Sequence, residues 1–444
     1  MCGICGKVYH SLDRTVDPSL IKKMASVLAH RGPDDEGVYI KDHVGLAHKR
    51  LSIIDLTSAG HQPMSNEDGS IWIVFNGEIY NFLDLREELV GKGHAFRSQT
   101  DTETILHLYE EKGVACVHDL RGMFAFAIWD ENRKRLFIAR DRVGKKPLVY
   151  SHTHEGLLFA SEIKSLLVDP SIKKDVDCHA LHHFLTYQYV PSPQTSFAGI
   201  QKLPPAHILI YENGNVELKR YWDLSYRKKL ELPSLRDYGE TFLDVFQEAV
   251  RIRLRSDVPL GAFLSGGIDS SLVVAVMSGL MNQPVKTFSI GFEEEGYDET
   301  AFARMMAKKY ETDHHEFVVK PDAIEILPKL VWHYNEPFAD SSAIPTYYVS
   351  KMTRDYVTVT LNGDGGDESF AGYERYLADK LADYYRLVPR FLREGMIRKA
   401  VDLFPYATNR RSFLRKIPVG YNNIVKPLFP IVFGWMSDCF NILP

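Results

Sequence analysis

No apolar run in the 444-residue sequence is long enough to cross a bilayer: the most apolar stretches, 271–281 and 427–436, fall short of the roughly 20 residues a spanning helix needs. An apolar signal core is also missing, because the chain turns polar at Lys7 and again from His10 to Arg14. Cysteine is scarce, with five residues at irregular spacing, which excludes a disulfide scaffold and points to a reducing compartment, read as the cytoplasm. Excess charge of one sign is lacking too. A formal net charge of -5 gives no general attraction to nucleic acid or to anionic membrane, so neither is expected as a partner. Two common nucleotide fingerprints, Gly-x-x-x-x-Gly-Lys-Ser/Thr and Gly-x-Gly-x-x-Gly, are absent. What the chain does have is 45% hydrophobic residues, ample core for each of the roughly three domains or fewer that its length allows.

The chemistry begins at the amino terminus, Met1-Cys2-Gly3-Ile4-Cys5-Gly6. A small second residue favours removal of Met1, and Cys2 would then carry a thiol nucleophile and an α-amino base of pKa about 7.7 to 8.0 on one carbon. The same Cys2-x-x-Cys5 spacing suits a redox pair or half a zinc site, but no second such pair follows.

Residues 1–200 read as one α+β layered domain. Strand-like segments occur at 44–54, 71–74, 123–129, 135–139, 148–152 and 157–160, with helical periodicity at 19–30, 83–92 and 102–112. Polar or glycine-rich corners lie at Arg31-Gly32-Pro33-Asp34, Asn76-Gly77-Glu78 and Thr100-Asp101. By composition the first two are turn formers, and Arg50 in a strand is an ordinary solvated charge. A prolyl-rich stretch follows, and 201–236 is expected to be a linker. From 237 to 444 the pattern becomes alternating helices and apolar strands: helices at 238–255, 270–280, 300–310 and 321–334, strands at 260–264, 285–291, 315–319 and 356–361. Such alternation predicts a parallel sheet covered by helices. At its first strand-to-helix junction stands Leu264-Ser265-Gly266-Gly267-Ile268-Asp269-Ser270, where glycines, hydroxyls and a helix amino terminus suit a phosphate group and Asp269 suits a magnesium ion. A tight turn with a helix cap would read the same way.

Five ordered motifs in the first half resemble the class II glutamine amidotransferases: Cys2 to Gly6, Arg31 to Asp34, Leu46-Ala47-His48-Lys49-Arg50-Leu51-Ser52-Ile53, Asn76-Gly77-Glu78-Ile79-Tyr80-Asn81 and Thr100-Asp101-Thr102-Glu103. The resemblance implies an amino-terminal-nucleophile domain of αββα layers in which Cys2 attacks the side-chain amide of glutamine. Asn76 and the Gly77 N–H would form the oxyanion hole, Arg50 would hold the α-carboxylate, and Glu78 and Asp101 the α-amino group. In the second half Ser265-Gly266-Gly267-x-Asp269-Ser270, Ser289-Ile290-Gly291-Phe292, Glu336-Pro337-Phe338-Ala339-Asp340 and Asn362-Gly363-Asp364-Gly365-Gly366-Asp367-Glu368 resemble the α/β ATP-pyrophosphatase domain of the glutamine-hydrolysing asparagine synthetase family. This second resemblance implies that Leu264, Ile290, Asn362 and Gly363 contact the nucleoside of ATP. Ser265, Gly266, Gly267, Asp269 and Ser270 would hold the pyrophosphate, Asp269 and Asp367 would bind Mg2+, and Asp364 would assist adenylation of aspartate. It also implies an internal route for ammonia, and leaves a homodimer open.

Two departures from the family accompany these matches. Its usual Ser-Gly-Glu-Gly-x-Asp-Glu has Asp364 at the glutamate position, one methylene shorter, which leaves the acceptor carboxylate open to a peptide, glycan or secondary-metabolite precursor. The resemblance covers residues 1 to about 416, and the family's later Arg-Val-Pro-Phe-type motif and essential lysine have no counterpart, so the synthetase domain is expected to be incomplete at its carboxyl end. A protein with glutaminase activity alone and a non-catalytic scaffold are the corresponding alternatives. A phosphoribosyl amidotransferase should have a different loop at 265–270.

Overall fold

The computed structural model describes residues 1–292, 300–319 and 322–392. The apolar stretch 427–436, Cys439 and the rest of the carboxyl-terminal tail lie outside the described residues. The chain divides into two compact units, one of Met1–Ala180, Val190–Pro259 and Val331–Pro337, the other of Leu181–Tyr189, Leu260–Leu330 and the residues from Phe338 onward.

The first unit contains twelve strands: β1 Gly3–Tyr9, β2 Asp35–Lys41, β3 Val44–Arg50, β4 Met64–Ser65, β5 Ile71–Ile79, β6 Gly122–Asp130, β7 Arg135–Arg140, β8 Val149–Thr153, β9 Gly156–Ala160, β10 Gln201–Lys202, β11 His207–Glu212 and β12 Asn215–Arg220. They form two six-stranded sheets in the orders β10-β8-β9-β1-β3-β2 and β12-β11-β7-β6-β5-β4, with antiparallel pairing throughout. Strands β10 to β12 thus lie within the 201–236 stretch.

Three cores show how the layers stack. Helices α1 (Pro18–Ser26), α2 (Phe82–Gly91), α3 (Asp101–Lys112) and α4 (Ile163–Leu166) supply the outer faces, and α5 (Cys178–Tyr187) and α6 (Leu235–Arg253) follow. Ile4, Val8, Val44 and Leu46 of the first sheet meet Val74, Ala125, Ala127 and Trp129 of the second in a sheet-on-sheet core. Cys5, Ala47 and Leu158 face the other way, onto Ile21, Met24 and Leu28 beside α1 and Ile163 and Leu166 of α4. Phe75, Phe124 and Phe126 turn onto Leu85 and Leu89 of α2 and Ile105 and Leu106 of α3. A strand whose successive side chains enter two different cores must be apolar on both faces, and every residue of β1 is buried. The result is the expected αββα arrangement.

Local signals fix the element that matters most to the site. Thr100 caps α3 by accepting a hydrogen bond from the Glu103 N–H at 3.3 Å. The Glu103 carboxylate reaches back to the N–H groups of Arg97 and Ser98, both at 2.7 Å. This arrangement resembles a capping box, and its threonine is worth about 1 kcal/mol. It places Asp101 in the first turn, where helix N–H groups point at its carboxylate.

The second unit is built on four parallel strands, β13 Leu260–Phe263, β14 Lys286–Phe292, β15 Asp313–Val319 and β16 Val359–Leu361, in the order β15-β14-β13-β16. Helices α7 (Ile268–Leu280), α8 (Thr300–Lys309), α9 (Ala323–Tyr334), α10 (Ala343–Thr353), α11 (Gly366–Phe370) and α12 (Glu374–Arg386) alternate with or follow them. The chain moves outward from β13 to β15 and then returns to place β16 on the other side of β13. The loops leaving β13 and β16 therefore diverge at the carboxyl edge, the position where open parallel sheets form a ligand crevice. Among the described residues no helix is long and apolar enough to cross a membrane.

Candidate active sites

Cys2 precedes β1, and its half-buried Sγ lies at the end of β3, 3.4 Å from the donating Leu51 N–H and 3.7 Å from the Leu51 carbonyl. Burial pushes the Cys2 thiol up, against the Leu51 hydrogen bond and the positive charges of the chain terminus, Lys146 and Arg50. A nearby base is needed to free such a thiolate.

Arg50 is not a solvated strand residue. It is 5% exposed, and its guanidinium donates to the carbonyls of Thr57 at 3.0 Å, Ile54 at 3.3 Å and Asp55. Gly60 packs against it so closely that a Cβ there would sit 2.0 Å from Nη2. The loop thus aims a fixed cation, as bidentate carboxylate recognition requires.

Asn76, Gly77 and Glu78 do not form a turn. All three lie inside β5, paired with Ala125, Phe124 and Met123 of β6. His48 Nε2 donates to the Phe75 carbonyl at 3.0 Å, and Gln62 Oε1 accepts from the Phe75 N–H at 2.7 Å, so both flanks of the residue before Asn76 are pinned. Because a carbonyl only accepts, Nε2 bears the His48 proton, and burial holds this histidine down to about 3, hence neutral. Asn76 itself is 1% exposed, yet neither atom of its side-chain amide has a protein partner. Leaving such a group unsatisfied costs about 1–3 kcal/mol, a cost that a ligand oxygen would remove.

Glu78 and Asp101 are both buried, and the Asp101 carboxylate accepts from the Ile79 N–H at 2.8 Å. Burial, then the neighbouring Asp101 charge, pushes Glu78 up to about 7, with Lys146 and Arg253 opposing. Burial likewise pushes Asp101 up to about 6, despite N–H groups at the α3 terminus and the charge of Arg50. Two buried carboxylates side by side need a cation, and an ammonium group meets that need.

Lys146 is a member of this site that the sequence reading did not pick out. It is 5% exposed, its Nζ lies 3.1 Å from Met1 Sδ, and Cys2, Glu78 and Asp141 all act on its charge. Burial lowers it to about 8. Asp141 fixes its loop by accepting from the N–H groups of Lys145 at 2.9 Å and Lys146 at 3.0 Å. A Gly-Lys-Lys-Pro sequence reads as a turn, and nothing in its pattern signals a buried ammonium. Mutual electrostatic influence thus ties Cys2, Arg50, Glu78, Asp101 and Lys146 into one neighbourhood.

In the second unit, the loop after β13 closes on itself through hydroxyls. Ser265 Oγ and Ser270 Oγ are 2.9 Å apart, the Gly267 N–H donates to Ser265 Oγ at 3.2 Å, and the Ser265 N–H donates to Ser270 Oγ at 3.3 Å. Gly266 has φ +83°, and a Cβ there would meet the Ala303 N at 2.5 Å. Leu264 donates its N–H to the Phe288 carbonyl at 2.9 Å and accepts at its own carbonyl from Ser289 Oγ, placing Leu264 beside the strand that carries Ile290. From β16, Gly363 and Gly366 press on Asp269: Cβ atoms there would lie 2.8 Å from its Cβ and 2.3 Å from its Oδ2. Burial and then the charges of Asp367 and Glu368 raise Asp269, so a group of carboxylates gathers with a hydroxyl-lined loop. Oxygen donors of this kind, completed by phosphate oxygens, fit Mg2+. Asn362 Nδ2 donates to Asp364 Oδ2 at 2.7 Å, holding that exposed carboxylate beside Gly363.

Residues 1–222 match the glutamine amidotransferase domain family, and residues 241–423 the asparagine synthase family. The chain is similar to the glutamine-hydrolysing asparagine synthetase 1 of Bacillus subtilis, 39% identical over 94% of this chain and 66% of that protein. A Methanocaldococcus jannaschii protein provisionally named asparagine synthetase 2 is 40% identical over 88% of this chain and 79% of its own length. The Bacillus subtilis asparagine synthetase 3 is 36% identical over 84% and 63%, respectively. The chain thus spans about two thirds of the length of both Bacillus relatives.

Proposed function

The chain belongs to the glutamine-hydrolysing asparagine synthetase family, and from that premise we propose that it makes asparagine from aspartate, ATP and glutamine. The observation that carries the glutaminase half is the buried, unpartnered Asn76 amide on a strand whose Glu78 stands beside Asp101 of α3, two buried carboxylates needing a cation.

Glutamine is held by its zwitterion, the α-carboxylate on Arg50 and the α-ammonium on Glu78 and Asp101. The Cys2 amine, freed by loss of Met1, takes the thiol proton while sulfur attacks the carboxamide carbon. Negative charge passes to the carbonyl oxygen, where Asn76 Nδ2 and the Gly77 N–H receive it; one such donor is worth roughly 2.7–4 kcal/mol of barrier. The ammonium just formed on Cys2 returns its proton to the leaving nitrogen, ammonia departs, and water cleaves the thioester to glutamate. Lys146 adds positive charge beside the thiolate.

In the second unit Ser265, Gly266, Gly267 and Ser270 take the pyrophosphate portion of ATP, and Leu264, Ile290, Asn362 and Gly363 its nucleoside. Asp269 and Asp367 would hold Mg2+, which when bound offsets the charge of the phosphates. The side-chain carboxylate of aspartate attacks the α-phosphorus and pyrophosphate leaves. Ammonia then attacks the acyl carbon and AMP leaves, giving the amide. Asp364, held by Asn362, is the acid assigned to assist adenylation.

The shorter Asp364 side chain favours one second reading, a different acceptor carboxylate. Pyrophosphate release, measured with ammonium as nitrogen source over aspartate, aspartyl peptides and other carboxylates, separates the two. The highest kcat/KM is expected with aspartate, and a higher value with another acid would replace this assignment.

A further inference from the structure

Outside both sites, two histidines and four glutamates converge on one face of α3. Glu67 comes from the turn between β4 and β5, His94 from the segment after α2, and His107 and Glu110 from one turn of α3. A donor atom from each of Glu67, His94 and His107 lies within 4.8 Å of the other two. Glu110 Oε2 is 2.7 Å from His107 Nδ1 and 3.5 Å from His94 Nδ1, and Glu67 Oε2 is 4.0 Å from His107 Nδ1. Donors around a tetrahedral metal with bonds of about 2.0–2.1 Å stand about 3.3 Å apart, which these separations bracket.

A second observation points the same way. Each histidine turns its remaining nitrogen toward a further carboxylate: His94 Nε2 lies 3.1 Å from Glu111 Oε1, and His107 Nε2 lies 3.8 Å from Glu103 Oε1. Glu103 is in turn fixed by the N–H groups of Arg97 and Ser98, and Glu110 by Asn66 Nδ2 at 2.8 Å. His94 Nε2 is thus hydrogen-bonded on its outer side, while the buried His107 Nε2 faces Glu103 without a hydrogen bond and His107 Nδ1 bonds Glu110 Oε2, a contact that an ion would replace by taking the Nδ1 lone pair, as in metal sites whose ligating histidines are oriented by outer-shell acids. His107 is 1% exposed and the edge of Phe96 packs on it, with ring centroids 4.7 Å apart, so the inner side of the cluster is dry.

We propose that Glu67, His94, His107 and Glu110 form a binding site for a divalent transition-metal ion of the zinc class. Its ligands come from three separate segments, so the ion staples the β4–β5 turn and the segment after α2 to the helix whose first turn contains Asp101. This is a structural site, because four protein ligands leave no open position for substrate.

The test is a chelator-competition titration of EDTA-stripped protein with Zn2+, together with visible spectra of the Co2+ form. One equivalent is expected to bind, with the intense d–d bands of four-coordinate cobalt. Binding should weaken at least a hundredfold in His94→Gln and ten- to a hundredfold in Glu111→Gln, which removes only an outer-shell partner. Exposed Glu67→Gln serves as the variant least able to disturb folding and should also weaken binding. Absence of stoichiometric binding, or binding left unchanged by His94→Gln and Glu67→Gln, overturns the proposal and leaves the cluster as histidines charged by their acidic neighbours.

Discussion

If Glu78 and Asp101 hold the ammonium of glutamine, affinity must fall as they take up protons, and the size of the fall follows from their surroundings. Glu78 titrates at about 7 and Asp101 at about 6, each raised chiefly by burial. With pKa values of about 7 and 6, the doubly ionised fraction drops from about 0.9 at pH 8 to about 0.05 at pH 6, a loss of about 20-fold, or about 1.8 kcal/mol. The pair releases its protons in coupled steps, so the curve belongs to both groups together. Chemistry must be silenced to read binding alone, because the Cys2 amine titrates in the same range. The assay is therefore calorimetric titration of Cys2→Ala protein with glutamine between about pH 6 and pH 8. Stability should move the other way. A carboxylate whose folded pKa is raised binds more protons folded than unfolded. Its burden on the fold is therefore complete above about pH 7 and relieved as pH falls toward the unfolded value, near 4.3 for Glu and 3.9 for Asp. Glu78→Gln should consequently melt higher than the parent at about pH 8 while binding glutamine more weakly. Affinity independent of pH across this interval, or a Glu78→Gln protein that binds normally, would refute the reasoning.

Cys2→Ala should abolish glutamine-dependent ammonia release with melting behaviour unchanged, and a form retaining Met1 should be inactive as well; ammonia assay and intact mass check both. Gly60→Ala places a methyl group on Arg50 Nη2 and should raise the KM for glutamine by one to two orders of magnitude, since a charged hydrogen-bonded contact is worth about 1.5–3 kcal/mol. Gly91→Ala, with nothing within 4 Å of the added carbon, is the control and should leave KM unchanged. Asp269→Ala should remove Mg2+-dependent ATP binding, followed by fluorescence titration, without affecting glutamine hydrolysis; parent-like ATP affinity would remove Asp269 from the site.

Some elements were easy to read and others were hidden for physical reasons. Parallel strands alternating with helices from β13 to α9 announced themselves because α7, α8 and α9 are long enough to show their period, whereas α10, α11 and α12 are not among the helices read from the sequence. The segment β1 did not, since Ile4 and Val8 enter one core while Cys5 and Tyr9 enter another, which erases the polar alternation of a half-exposed strand. Asn76-Gly77 is a turn by composition but lies inside strand β5 in the fold, held there by β6 and pinned through Phe75 by His48 and Gln62. Arg50 belongs to the site because the loop that follows folds back and carbonyls 54, 55 and 57 replace water around its guanidinium, a local conformation that residue type does not signal. Lys146 and the His94–His107 cluster depend on tertiary convergence. The motif residues, by contrast, carried the chemistry openly, because thiol, amide, cation and acid types are each required by the reaction.

The central claim is that nitrogen leaves glutamine at Cys2 and is consumed at an acyl-adenylate made from aspartate. The most direct test measures asparagine and pyrophosphate formed from aspartate and ATP, with glutamine or with ammonium, by the parent protein and by Cys2→Ala. The account predicts that the parent uses both nitrogen sources and Cys2→Ala uses ammonium alone, with asparagine, AMP and pyrophosphate appearing in equal amounts. Glutamine-dependent asparagine formation by Cys2→Ala, or ATP cleavage that does not depend on aspartate, would contradict it.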